Sequence, residues 1–300
     1  MTLCYALLFA AALVAAPAVT LANPTQRTCG TPVPTAAQMQ KAESIRAQFA
    51  LGTQSFTSGG TIGVVVHVLR DNTTGNVPQE QIDAQMQVLN QDYALCGYQF
   101  VLLQVTRTTN TTWFNVDYGT ATENAIVNTL AIDPTHTINI YLANVSHAGG
   151  LLGWAYYPGM FAEADPHNAV FIDYRTLPGG TFSPYNLGKT LTHEMGHYLG
   201  LFHTFQGGCS DPGDMVADTP AEANPVFGCP FPPPNTCASP GDDPIHNYMD
   251  FTDDACMLEF TPGQCEFSAA QLAAGRPSLG ITGPTPVRVA TWGAVKQHYR

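Results

Sequence analysis

The sequence predicts an α/β (α+β) fold: a twisted, mostly parallel sheet backed by helices, then an irregular, cysteine-rich segment. Three observations carry this reading. Short β-branched runs alternate with helix-period segments from residue 61 to about 200, which implies strand–helix–strand units and parallel pairing. One run, 61–69, is apolar almost without interruption, as strands buried on both faces are. After Gly207 prolines and glycines become frequent, acidic residues cluster and no long period survives.

The elements follow in chain order. Residues 3–22 carry no charge, with an apolar run over 5–14 and then Pro17; Thr20 and Ala22 suit signal-peptidase cleavage near Asn23, with Ala18 a second candidate. The competing reading, a membrane anchor, fails on length: the dense run falls well short of the roughly 20 residues needed to span. Residues 23–60 are polar and read as an N-terminal arm or pro-segment with one helix over 36–49. The 61–69 strand contains His67, read as a hydrogen-bonded core histidine. Ile82, Met86, Leu89 and Tyr93 are spaced four, three and four, which is one face of a helix over 78–95. Strands are expected at 98–106, 137–145 and 169–174, with a short helix at 122–130. Two subdomains are expected, 61–206 ending in the helix discussed below and 207–300 without regular structure.

Composition narrows the function. Only 11% of the 300 residues are charged, with 11 basic against 23 acidic and a net charge of −12. So acidic and lysine-poor a surface argues against nucleic acid and against an anionic membrane as partners. Sequons at Asn72, Asn110 and Asn144 can be glycosylated only in a secretory compartment. Setting aside Cys4 in the leader, seven cysteines remain: Cys29, Cys96, Cys209, Cys229, Cys237, Cys256 and Cys265. In an oxidising compartment disulfides are the default, and an odd count leaves one thiol over. A secreted, extracellular monomer is expected.

The chemistry lies in the stretch TLTHEMGHYLGLFH, residues 190–203. On a helix His193 and His197 sit one turn apart and can grip one ion. Leu187, Leu191, Met195, Tyr198 and Phe202 form a separate stripe, read as the core face. Gly200 permits the left-handed turn that ends a helix and brings His203 round as a third imidazole. Three neutral imidazoles leave a fourth tetrahedral position open, the arrangement of catalytic zinc. Glu194 adjoins the first ligand and is placed to act as general base on a bound water. Between Cys209 and Glu222 the oxygens of Asp211, Asp214, Asp218, Thr219 and Glu222 are dense enough to suit Ca²⁺, the bland alternative being a solvated acidic turn.

With the motif HExxHxxGxxH in place, the sequence resembles the metzincin metallopeptidases, whose second hallmark is a methionine turn. Asn247-Tyr248-Met249-Asp250 supplies one, with Met249 as the hydrophobic base beneath the imidazoles. Within metzincins the wording is similar to the pappalysin family, through HEMGHYLGLFHTF (193–205), Asp218-Thr219-Pro220, the Met249 turn running into Cys256, GLLGWA (150–155) and VFIDYR (170–175). The resemblance covers roughly 60–265. It implies a metzincin fold split by a horizontal cleft and a zinc endopeptidase acting on proteins or peptides. It also implies calcium near the acidic loop, and disulfides Cys209–Cys237 and Cys229–Cys256, each stabilising by about 3–4 kcal/mol in chain-entropy models. A catalytically inactive metzincin scaffold serving as a secreted binding module is the alternative, against which intact Glu194 speaks.

Two departures stand out. The family commonly carries tyrosine two residues after the methionine as an oxyanion donor, where this chain has Phe251; Tyr248 or a histidine would have to substitute, or the assistance is absent. Residues 265–288 look like a patternless insertion ahead of a helical register at 289–300, which would make Cys265 the odd thiol. Cys29 is then left with two readings: a pair with Cys96, or, within Arg27-Thr28-Cys29-Gly30, a latency switch whose thiolate fills the open zinc position.

Overall fold

The computed structural model describes residues 26–50, 59–147 and 150–282. The leader and the 289–300 register lie outside the described residues. Helix α1 (Ala36–Ala50) belongs to the N-terminal arm; then come β1 (Gly60–Arg70), α2 (Gln79–Asp92), β2 (Tyr98–Thr109), α3 (Thr111–Phe114), α4 (Ala121–Leu130) and β3 (Thr137–Ala143). They are followed by β4 (Gly153–Ala155), β5 (Ala169–Asp173), α5 (Lys189–Tyr198), α6 (Pro262–Gly275) and β6 (Ile281–Thr282). No helix among the described residues is long and apolar enough to cross a membrane.

The sheet order is β2-β1-β3-β5-β4, with β6 pairing the start of β1. β1, β2, β3 and β5 are parallel, while β4 runs antiparallel to β5 at the edge. β1 is central and buried on both faces, which is why its sequence is continuously apolar rather than alternating. His67 in β1 is fully buried, its ring nitrogens at 2.8 Å from Thr106 Oγ1 and 2.9 Å from Asn139 Oδ1, as a core histidine requires. α2 packs Ile82, Met86 and Leu89 into the same core.

From residue 207 to 261 the chain forms turns and loops, tied by Cys209–Cys237 and Cys229–Cys256 as the family resemblance implied. Three expectations are corrected. Residues 265–275, expected as the start of a patternless insertion, instead continue α6, which is opened by a Thr261–Gln264 capping box with Pro262 in its first turn. The helix shows no amphipathic stripe because it is buried on most sides, from Gln264 and Cys265 through Phe267 to Leu272. Cys265 is not the odd thiol: it pairs with Cys96, bridging 169 residues and tying the turn after α2 to α6, which also removes Cys96 as a partner for Cys29. Leu187 is exposed and precedes α5, so the core stripe begins at Leu191.

Candidate metal centre

α5 starts at Gly188, and one carboxylate oxygen of Asp254 accepts the amides of Leu187 (2.8 Å) and Lys189 (3.3 Å), setting an anion at the helix N-terminus. Asp92, at the end of α2, holds the same turn from the other side. It accepts Lys189 Nζ (2.6 Å), the Thr192 hydroxyl (2.6 Å) and the Tyr248 hydroxyl (2.8 Å). The far end closes as Gly200, at φ +102, lets its amide bond His197 O and the Leu201 amide bond Gly196 O, both at 2.9 Å. That pair of bonds is a Schellman cap, and it carries His203 back over the helix.

The three histidines converge. His197 Nε2 lies 3.2 Å from His193 Nε2 and 3.0 Å from His203 Nε2. Ligands about 2.0–2.1 Å from a tetrahedral zinc stand about 3.3–3.4 Å apart, so the spacing fits that ion. His193 Nδ1 donates to Tyr248 O (2.7 Å) and His197 Nδ1 to Leu201 O (2.8 Å), which turns both Nε2 lone pairs inward. Burial holds His193 well below the usual imidazole range, with His197 and His203 beside it; His197 falls to about 4, and burial lowers His203 too. Neutral rings with facing lone pairs need a cation between them. Among the described residues, Cys29, His193, His197 and His203 are one group able to hold a metal, their ligand atoms all within 4.8 Å.

Met249 is fully buried against α5, its amide bonded to Asn247 Oδ1 (3.0 Å). Gly196 makes room: a Cβ there would lie 2.4 Å from the Met249 sulfur. Glu194 is buried and its carboxyl is pushed up to about 7 by that burial, eased by contacts with Cys29 and Thr31. Phe251 packs edge-on to His203 (4.9 Å) and beside Phe205 (5.0 Å), an apolar wall. Tyr248 does not replace the missing hydroxyl, because its own is buried and committed to Asp92.

The N-terminal arm fills the cleft. Gly30 N donates to Gly153 O (2.8 Å) and Leu152 N to Thr28 O (2.9 Å), so the arm adds to the free edge of β4 in parallel. Cys29 is a free thiol 3.5 Å from Glu194 Oε2, and the Thr31 hydroxyl donates to that same oxygen at 3.0 Å. Arg27 is buried in a pocket, its guanidinium paired with Asp254, bonded to Thr252 O (3.2 Å) and Thr190 Oγ1 (3.4 Å), over the Tyr185 ring. In sequence Arg27 opens the Arg27-Thr28-Cys29-Gly30 stretch and Asp254 lies in the run from the Met249 turn to Cys256, but neither carries a role of its own there.

The acidic loop divides. Asp211 is exposed and pairs with Arg46, while Asp218 accepts Thr261 Oγ1 and Gly263 N at the start of α6. Asp214 is buried and raised to about 8 by desolvation, and Thr219 lies half-buried nearby. Glu222 instead joins Asp243 and Asp250, which sequence had not flagged; all three are buried, and each has a carboxylate oxygen without a hydrogen-bond partner. Burial and then the Asp250 carboxylate push Glu222 up to about 8, and burial raises Asp250 to about 7.

Residues 121–273 match the peptidase M43 family, described as pregnancy-associated plasma protein-A. The chain is 41% identical over 267 residues to an extracellular metalloprotease of Pyricularia oryzae, covering 85% of this chain and 92% of that one. It is 38% identical to extracellular metalloprotease 1 of Coccidioides posadasii, covering 86% and 92%. Among solved structures it is similar to a point mutant of Tannerella forsythia promirolysin, with TM-score 0.71, 30% identity and coverage of 86% and 100%. Mature mirolysin in complex with a cleaved peptide matches at TM-score 0.63 and 30% identity over 76% of this chain and 99% of that one. With the histidine triad, the Met249 turn and these matches together, the chain belongs to the pappalysin family of metallopeptidases.

Proposed function

We propose that the protein is a secreted zinc endopeptidase cleaving extracellular proteins, held latent by its own N-terminal arm. The observation that carries this is the inward convergence of three neutral imidazoles beside buried Glu194. His193, His197 and His203 would hold Zn²⁺, which when bound supplies a Lewis acid for the scissile carbonyl and lowers the pKa of water. Glu194 accepts the proton of the attacking water and returns it to the leaving amine nitrogen. A peptide lying along the β4 edge, where the arm lies now, passes Glu194 in extended form. The relatives named extracellular metalloproteases support secretion, with residues 1–22 as the leader and Asn72, exposed after β1, as the favoured glycosylation site. Asn110 caps α3 and the Asn144 amide is bonded to Asn115. The division at 206/207 into two subdomains and the monomeric state belong to the same proposal.

Casein hydrolysis tests the peptidase reading against an inactive binding scaffold. The arm-free chain should digest casein, lose this with a chelator and regain it with Zn²⁺. Less than about half an equivalent of zinc in purified protein, with no uptake on addition, would sink the metal assignment.

Two details of the arm extend the reading. With Cys96 paired elsewhere, Cys29 is free to be the ligand that blocks the fourth metal position until the arm is cut away. The pro-form of mirolysin also matches more of this chain than the mature form does. The Arg27 pocket outlasts the arm, and its Asp254 carboxylate, Tyr185 ring and backbone acceptor suit arginine in a substrate next to the scissile bond.

Calcium is proposed at the Glu222–Asp243–Asp250 cluster. Of the loop residues, Asp211 is paired with Arg46 and Asp218 with the start of α6, while Asp214 Oδ2 and Thr219 Oγ1 are, like the cluster, buried without a hydrogen-bond partner. Facing buried carboxylates need a shared proton or a cation, and oxygen donors of this kind suit Ca²⁺. Adding Ca²⁺ at about 100 times its dissociation constant should stabilise the zinc-loaded chain by about 2.7 kcal/mol in a thermal melt. Asp250→Asn should abolish that rise; an equal rise in the variant would place the ion elsewhere.

A further inference from the structure

We infer that Glu123, on the face of the sheet away from the metal, positions the β4 strand that substrate must pair with. This rests on the peptidase reading above and assigns Glu123 a positioning role within it. β4 is three residues long and lies at the edge of the sheet. Short edge strands are the first to fray, having a ladder on one side only. Yet the backbone groups of this strand set where an extended chain lies. The Leu152 amide, Gly153 carbonyl and Ala155 amide are the groups the arm now uses, through Thr28 O, Gly30 N and Thr31 Oγ1. The strand is also close to the chemistry: a Cβ on Gly153 would fall 2.8 Å from Glu194 Cγ. A small shift of β4 therefore moves a bound peptide relative to the general base.

Three supports hold the strand. β5 pairs one edge, with Trp154 opposite Phe171. Side chains alternate along a strand, so Gly153 and Ala155 share one face and Trp154 and Tyr156 share the other. α5 packs against β4 near Gly153. On the other face Glu123 gathers the polar groups: Trp154 Nε1 and the Tyr156 hydroxyl both donate to Glu123 Oε1 at 2.8 Å, while Gly119 N donates to Oε2 at 2.6 Å. Glu123 is fixed in turn in the first turn of α4, its amide bonded to the Thr120 cap.

The carboxylate is 1% exposed, its donors are neutral groups, and burial raises its pKa. A buried anion costs the fold unless donors surround it, and an apolar residue would fill the same volume without that cost. What the carboxylate adds is direction. One oxygen fixes two side chains two residues apart and so sets the height and pitch of the strand between them. Trp154 is further clamped by stacking on Phe171 at 4.7 Å.

Hydrogen–deuterium exchange on the full chain tests this without calling on peptidase activity. In Glu123→Leu the Leu152 and Ala155 amides should exchange about tenfold faster or more, while the β1 and α2 amides stay at parent rates. Glu123→Gln, which keeps an oxygen for Trp154 and Tyr156, should restore most of the protection. If Glu123→Leu does not accumulate, the double variant Trp154→Phe, Tyr156→Phe removes both donors and should give the same local signature. Parent-like exchange at Leu152 and Ala155 would overturn the assignment. So would equal acceleration throughout β1 and α2, or a glutamine variant as loose as the leucine one. In activated chains, Glu123→Leu should raise KM for long peptides about tenfold and leave a blocked dipeptide unaffected, since the dipeptide does not reach the strand; equal losses on both substrates would also count against it. If the peptidase reading were wrong, both assays would be silent in the parent while the exchange result still stood.

Discussion

Glu194→Gln is expected to cut the turnover number by about 10²–10⁴ while the zinc content stays at one per chain. Glutamine keeps the shape and an oxygen for Thr31 but cannot take a proton from water. The metal should stay because the imidazoles are oriented from elsewhere: His193 by Tyr248 O and His197 by Leu201 O. Turnover by the arm-free variant, set beside its zinc content from elemental analysis, separates the two roles. A fully loaded variant with near-parent turnover would show that proton transfer runs through another group. A variant that loses both metal and activity would show that Glu194 supports the site rather than the chemistry.

The second large effect concerns selectivity. Asp254→Asn is expected to lower kcat/KM for arginine-containing peptides by about 10²–10⁴, because removing one partner of a buried ion pair costs about 3–5 kcal/mol. Asparagine keeps an oxygen for the Leu187 and Lys189 amides, so the start of α5 should hold. Citrulline in place of arginine is the matched control: neutral and nearly isosteric, it should be cleaved alike by parent and variant. If the variant still prefers arginine to citrulline as strongly as the parent does, the pocket that receives Arg27 does not receive substrate.

Much of the molecule is legible in the chain itself. Most strands and helices of residues 60–200 follow from local periodicity, because a side chain's direction there depends on its neighbours in sequence. α3 and β4, four and three residues long, are too short to show a period and are not expected from the sequence. The metal centre is legible for the same reason: His193 and His197 share one helical turn, and Gly200 marks where the chain doubles back to bring His203. Family resemblance added Met249 and the two disulfides of the loop region, both present in the structure. Where contacts are long-range the signal thins. α6 has no stripe because the core surrounds it, and so its helical register could not be read from hydrophobic period.

What the sequence by itself determined is the class of chemistry: a metallopeptidase motif of three histidines with an adjacent carboxylate, in a disulfide-bonded chain. What only the tertiary structure decided is how that chemistry is restrained and aimed. Cys96 meets Cys265 across 169 residues, which leaves Cys29 a free thiol grouped with the three histidines. Arg27 meets Asp254 across 227 residues, which defines a pocket for a cation. Asp92 gathers Lys189, Thr192 and Tyr248, and so commits the Tyr248 hydroxyl to a buried hydrogen bond. Glu123 reaches Trp154 and Tyr156 and steadies the strand at the cleft. Each of these pairs contributes through distance and burial, and neither quantity is carried by the spacing of residues along a chain.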